Sequence, residues 1–122
     1  MYFGEYLRAK RKAKYFSCKM LATMLEVSPS YLSSLENGSR TAPSFSILKK
    51  AADILELSTE ERYLLYDLAA KSKNPPALAD DLIAYINQNP KLNNLLRYTM
   101  NCNLTEEDWE KVSKYIKRNY FY

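Results

Sequence analysis

The stretch VSPSYLSSLENGSR, residues 27–40, holds Ser28, Ser30, Ser33 and Ser34 in one run and follows them with Asn37 and Arg40. Projected at about 100° per residue, Leu32 and Leu35 share one face of a helix, and Ser30, Ser33, Ser34 and Asn37 fall on the other. A serine hydroxyl can donate or accept a hydrogen bond, but a nucleophilic triad that uses histidine is unavailable, because the chain has none. With 2 glycines there is no phosphate-cradling loop either. The acid pairs Glu60/Glu61, Asp80/Asp81 and Glu106/Glu107 stand at or near helix starts, where they favour the helix dipole. The chemistry on offer is surface recognition by short polar groups rather than catalysis. Cys18 and Cys102 stand alone and far apart, which supports no CxxC pair, zinc finger or disulfide framework. No enzyme activity, metal or cofactor is expected.

Charge narrows the kind of surface to be recognised. Residues 1–50 carry nine cations against Glu5, Glu26 and Glu36, a net of +6, while the remainder nets −2 within a total of +4. Clustered Lys and Arg in one half point to a polyanion such as nucleic acid. The most apolar early segment, FSCKMLATMLEV, is broken by Lys19 and Glu26, so it suits neither a signal-peptide core nor a membrane span. A soluble protein of the reducing cytoplasm is expected, without a membrane partner.

The elements that must position these residues are all helical by periodicity, and no alternating strand pattern of useful length occurs. A first helix near 3–14 has Phe3 and Leu7 at i, i+4 with Tyr6 beside them. Ser17 caps a second near 18–25, with Leu21, Ala22 and Leu25 inward. The serine helix follows at about 29–37, with Ser28 as N-cap, Pro29 at the first position and Gly38 closing the end. A fourth, near 44–55, turns Ile47, Leu48, Ala51 and Leu55 inward. A fifth begins with Ser58 and Glu61 at capping-box spacing and is expected to bury Tyr63, Leu64 and Leu68. The run KSKNPP, 71–76, reads as a linker, dividing a domain of residues 1–73 from a helical segment of 77–122.

That segment offers about three amphipathic helices. Asn89 and Pro90 read as N-cap and first residue of one, and Thr105 and Asp108 as a capping box for the last. Trp109, Val112, Ile116 and Tyr120 run down the last helix at i, i+3, i+7 and i+11, a stripe expected to make the dimer contact. Seven Tyr, Phe or Trp side chains occur in 77–122. A surface this apolar needs a partner: the first domain, another copy, or both.

The pieces FGEYLRAKRK, FSCKMLATMLEVSPSYLSSLENGSR and SILKKAADIL, in that order and spacing, resemble the Cro and phage-repressor type (XRE family) of helix-turn-helix proteins over residues 3–70. The resemblance implies an all-α, five-helix, lambda-repressor-like DNA-binding domain followed by the small C-terminal extension. It also implies sequence-directed binding of double-stranded DNA by a homodimeric transcriptional regulator, a repressor, with helix 29–37 in the major groove. Carried onto this chain, the family pattern assigns base contacts to Ser30, Ser33, Ser34 and Tyr31, and phosphate contacts to Cys18, Lys19, Ser28, Asn37 and Arg40. It pairs Arg11 with Glu36 as a structural ion pair. Two positions depart from the pattern: Cys18 stands where the family often has glutamine, and Glu26 where it usually has glycine. An antitoxin or co-regulator whose C-terminal helices bind a partner protein is the alternative. A dimer that shifts DNA when purified alone favours the first reading, and an aggregating monomer rescued by a second polypeptide favours the other.

Overall fold

The computed structural model describes residues 1–120, in which every regular element is a helix. They are α1 (Phe3–Ala13), α2 (Cys18–Leu25), α3 (Pro29–Asn37), α4 (Phe45–Ile54), α5 (Thr59–Lys71), α6 (Asp80–Asn87), α7 (Pro90–Met100) and α8 (Glu106–Tyr120). Phe121 and Tyr122, counted above among the aromatic residues of the C-terminal segment, lie outside the described residues. None of the described helices is long and apolar enough to cross a membrane.

Local chemistry sets most helix ends. Ser17 Oγ accepts from Met20 N and Ser28 Oγ from Tyr31 N, each taking one of the donors a helix start leaves unpaired. Ser58 and Glu61 exchange both bonds of a capping box, and Thr105 and Asp108 make the equivalent pair ahead of α8. Asn89 departs from expectation. Its side chain does not cap α7 but donates back to Tyr85 O at 2.7 Å, closing the helix before it.

Two compact units result, Met1–Ile83 and Ala84–Tyr122. In the first, α3 packs on α1 and α2, α5 on α1 and α4, and α2 also on α4. Leu21, Leu32, Leu35 and Leu65 are fully buried at the centre; each such side chain contributes about 1.5–3 kcal/mol by leaving water. Phe45 and Tyr66 meet at 4.7 Å between ring centroids, and Tyr6 Oη donates to Glu61 O at 3.2 Å. After the prolines, Ala77 N–H bonds Ala70 O and Ala79 is buried in the same core, so residues through Ile83 group with the first unit.

The inward face of α5 is a correction. Tyr63 and Leu64 are about half exposed and Leu68 half-buried, whereas Leu65, Tyr66, Ala69 and Ala70 are buried. The run YLLYDLAA is apolar nearly all round, so periodicity does not fix its phase; the ring of Phe45 and the α1 contact through Tyr6 do. In the second unit no described residue is buried. Trp109, Val112, Ile116 and Tyr120 are 43%, 40%, 50% and 71% exposed, an apolar stripe that its own unit does not cover.

Candidate nucleic-acid interface

Between α2 and α3 the chain turns in three residues. Glu26 takes the left-handed conformation at φ 60°, ψ 40°, and its N–H and that of Val27 close α2 on Thr23 O and Ala22 O. Glycine would adopt this backbone without penalty, whereas Glu26 is held there with its carboxylate bonded to Lys50 Nζ at 2.9 Å. Leu32 and Leu35 seat α3 in the core, and Gly38, at φ 83°, ends it.

The expected contact residues then take these places. Ser30 and Ser33 are exposed on the outer side of α3, and Ser34 is half-buried. Tyr31 is half-buried against the core. Cys18, half-buried at the first turn of α2, has its thiol 3.6 Å from Pro29 O, so the starts of α2 and α3 lie side by side, with Lys19 and Ser28 exposed next to them. Ser28 Oγ already serves as the α3 cap. At the other end, Asn37 is exposed and its Oδ1 accepts from Ser39 N, which leaves its amide N–H groups outward. Arg40 is exposed, its guanidinium carbon 5.4 Å from the centre of the Tyr31 ring.

Glu36, 2% exposed, is the anchor beneath. Arg11 donates to it from Nε at 2.8 Å and from Nη2 at 2.9 Å, and to Phe16 O from Nη1 at 2.9 Å. These hydrogen bonds to Glu36 raise the Arg11 pKa, so its charge is permanent. Arg8 adds a longer bond to the same carboxylate at 3.4 Å.

Two determinants of the site left no mark in the sequence reading. A methyl group placed on Gly4 would stand 2.4 Å from Glu36 O and 2.5 Å from Leu35 O, so only glycine lets α1 approach the end of α3 this closely. The second concerns charge. Of the nine cations in residues 1–50, Arg8, Lys10, Arg11, Lys14 and Lys50 are each paired with a carboxylate. Among the described residues no ion pair takes up Lys12, Lys19, Arg40 or Lys49, so two uncompensated cations, Lys19 and Arg40, flank the serine face. Of these pairs only Arg11 with Glu36 was given by the family pattern; the other partner carboxylates, Glu26, Glu56 and Glu61, are in the sequence too, but their pairing is tertiary. No cluster of three Cys, Asp or Glu side chains suited to a metal ion occurs among the described residues.

The helix-turn-helix family profile matches residues 7–62. Over 60 residues the chain is 42% identical to the HTH-type transcriptional regulator SlrR of Bacillus subtilis, covering 49% of this chain and 40% of that one. It is 40% identical over 58 residues to the HTH-type transcriptional repressor RghR of the same organism, covering 48% and 43%. The uncharacterized HTH-type transcriptional regulator YazB, also from B. subtilis, is 39% identical over 59 residues, 48% of this chain and 84% of YazB. The chain belongs to the XRE-type helix-turn-helix transcriptional regulators. The matches to SlrR and RghR span less than half of those proteins' lengths, and the family profile ends before the second compact unit begins.

Proposed function

We propose that this helix-turn-helix protein binds double-stranded DNA in a sequence-directed way as a homodimer, with α3 in the major groove, and that it represses transcription in the cytoplasm. The observation that carries the reading is the outer side of α3, where exposed short hydroxyls stand between two uncompensated cations. A major groove admits a helix whose outward side chains are short or aimed at base edges. Ser30 and Ser33 would meet those edges, with Ser34 behind them and Tyr31 on the flank. Because a hydroxyl both donates and accepts, it separates bases less sharply than a bidentate Arg or Gln, so DNA shape would supply part of the selectivity.

The phosphates would be held at both ends of α3. Lys19 and the amides of Cys18 at the start of α2 face one strand, with Ser28 nearby, and the Asn37 amide and Arg40 face the other. The uncovered α8 stripe supports a second copy as its cover, which would place two α3 helices about 34 Å apart on one face of the duplex.

Selection of bound fragments from random duplex DNA, followed by sizing of the complex, tests the reading. A two-fold symmetric site and a dimer on DNA are expected, with affinity falling steeply as salt rises. Ser30→Ala and Ser33→Ala should change the ranking among sites, whereas Arg40→Ala should weaken all sites alike. No enrichment of any duplex at low salt would overturn it.

A further inference from the structure

Arg40 differs from the other cations of the N-terminal half in how it is held. Its backbone is fixed by an unusual convergence: Ser34 O accepts from Ser39 N at 3.0 Å, from Arg40 N at 3.2 Å and from Ser39 Oγ at 3.4 Å. Asn37 Oδ1 holds Ser39 N from the other side at 3.0 Å. The first residues after α3 therefore have little freedom, although Gly38, Ser39 and Arg40 are exposed. Tyr31 is fixed too, by its N–H on Ser28 Oγ and by the contact of its ring with the core. Between these two fixed points the Arg40 guanidinium lies over the ring, at 5.4 Å, with no carboxylate bonded to it among the described residues.

We propose that Tyr31 is a positioning residue for DNA binding: its ring holds the Arg40 guanidinium at the rim of α3, oriented in advance for a backbone phosphate. This rests on the nucleic-acid reading above. A free arginine samples many rotamers and loses that freedom when it docks; one held against an aromatic ring has lost part of it beforehand, and a ring takes up none of its N–H donors as a carboxylate would. The contact therefore leaves those donors for phosphate.

The test is a cycle of variants read by affinity for the selected duplex and by the spectrum of the free protein. Tyr31→Phe keeps the ring and should therefore lose less affinity than Tyr31→Leu, whatever the hydroxyl itself contributes. Tyr31→Leu keeps apolar contact with the core but removes the ring; binding should weaken about two- to five-fold at every site alike, the scale of an exposed cation–π contact. In an Arg40→Ala background the same Tyr31→Leu change should cost nothing further. In the free protein, the Arg40 side-chain protons should be shifted upfield by the ring in wild type and Tyr31→Phe, and not in Tyr31→Leu. Equal losses from Tyr31→Leu with and without Arg40 would overturn the proposal while leaving DNA binding intact, and so would the absence of the upfield shift. A wild-type protein that ignores duplex DNA would overturn the nucleic-acid reading and this proposal together.

Discussion

Arg11 and Glu36 join α1 to α3 through two parallel charge-assisted hydrogen bonds of 2.8 and 2.9 Å, with the carboxylate side chain 3% exposed. A planar guanidinium fits a carboxylate edge in this way, and lysine in its place would offer a single point charge. Removing Arg11 leaves a buried carboxylate with only the longer 3.4 Å bond from Arg8. Arg11→Ala should cost up to about 3–5 kcal/mol, because breaking a buried pair leaves a charge largely uncompensated. Urea denaturation at neutral pH checks this; an unchanged midpoint would show that the pair contributes nothing.

Gly4→Ala offers a test of sign. Inside an exposed helix the change would stabilise by about 1 kcal/mol through helix propensity. Here the added carbon would meet two backbone oxygens at 2.4 and 2.5 Å, and backbone cannot swing aside as a side chain can. Overpacking of this kind costs about 1–3 kcal/mol. A lower melting temperature is expected, and an increase would mean that α1 can slide along α3.

Acid should weaken the fold in a defined window. Glu61 is held at about 2, first by the Lys10 ammonium and then by its capping bonds with Ser58, and Glu26 and Glu56 are lowered by Lys50 and Lys14. A carboxylate with a depressed folded pKa stabilises above its unfolded value, near 4.5, and that stabilisation is lost as pH falls toward the folded value. Melting temperatures should therefore hold level above about pH 5 as far as these groups are concerned, and decline from there toward pH 2. Glu61→Gln should flatten the decline; an identical slope in that variant would remove Glu61 from the account.

The α8 stripe can be tested apart from DNA. Ile116 is 50% exposed within the chain, so Ile116→Glu should leave helix content and the melting of the first unit unchanged. If the stripe is the contact between two copies, burying that charge at the seam should convert a sedimenting dimer to monomer. A variant that stays dimeric would place the seam elsewhere.

How much of this was legible in the sequence depended on how local the determining interaction is. Caps at Ser17, Ser28 and Ser58 were readable because each bond spans three residues, and the left-handed closure at Gly38 follows from the same short-range logic. The phase of α5 was not, since Tyr63, Leu64, Leu65, Tyr66 and Leu68 give a helix no polar side and only Phe45 and Tyr6 decide which way it faces. Gly4 could not be told from any helix-interior glycine without the α3 carbonyls opposite it. The charge pattern gave the right sign for the N-terminal half but too broad a patch, because pairing of Lys10, Lys14 and Lys50 with carboxylates 24 to 51 residues away is invisible along the chain.

The division of labour within α3 has a consequence for how such a protein can diversify. Leu32 and Leu35 supply the buried packing while Ser30 and Ser33 supply none, so the outer letters of this helix can be rewritten with almost no penalty to folding. Ser34 is the exception, half-sunk and with its carbonyl tying down the following loop. On the proposed reading, with α3 against DNA, new target preferences would arise by drift at two positions on a scaffold that stays fixed, which would make this helix a ready host for grafted specificities.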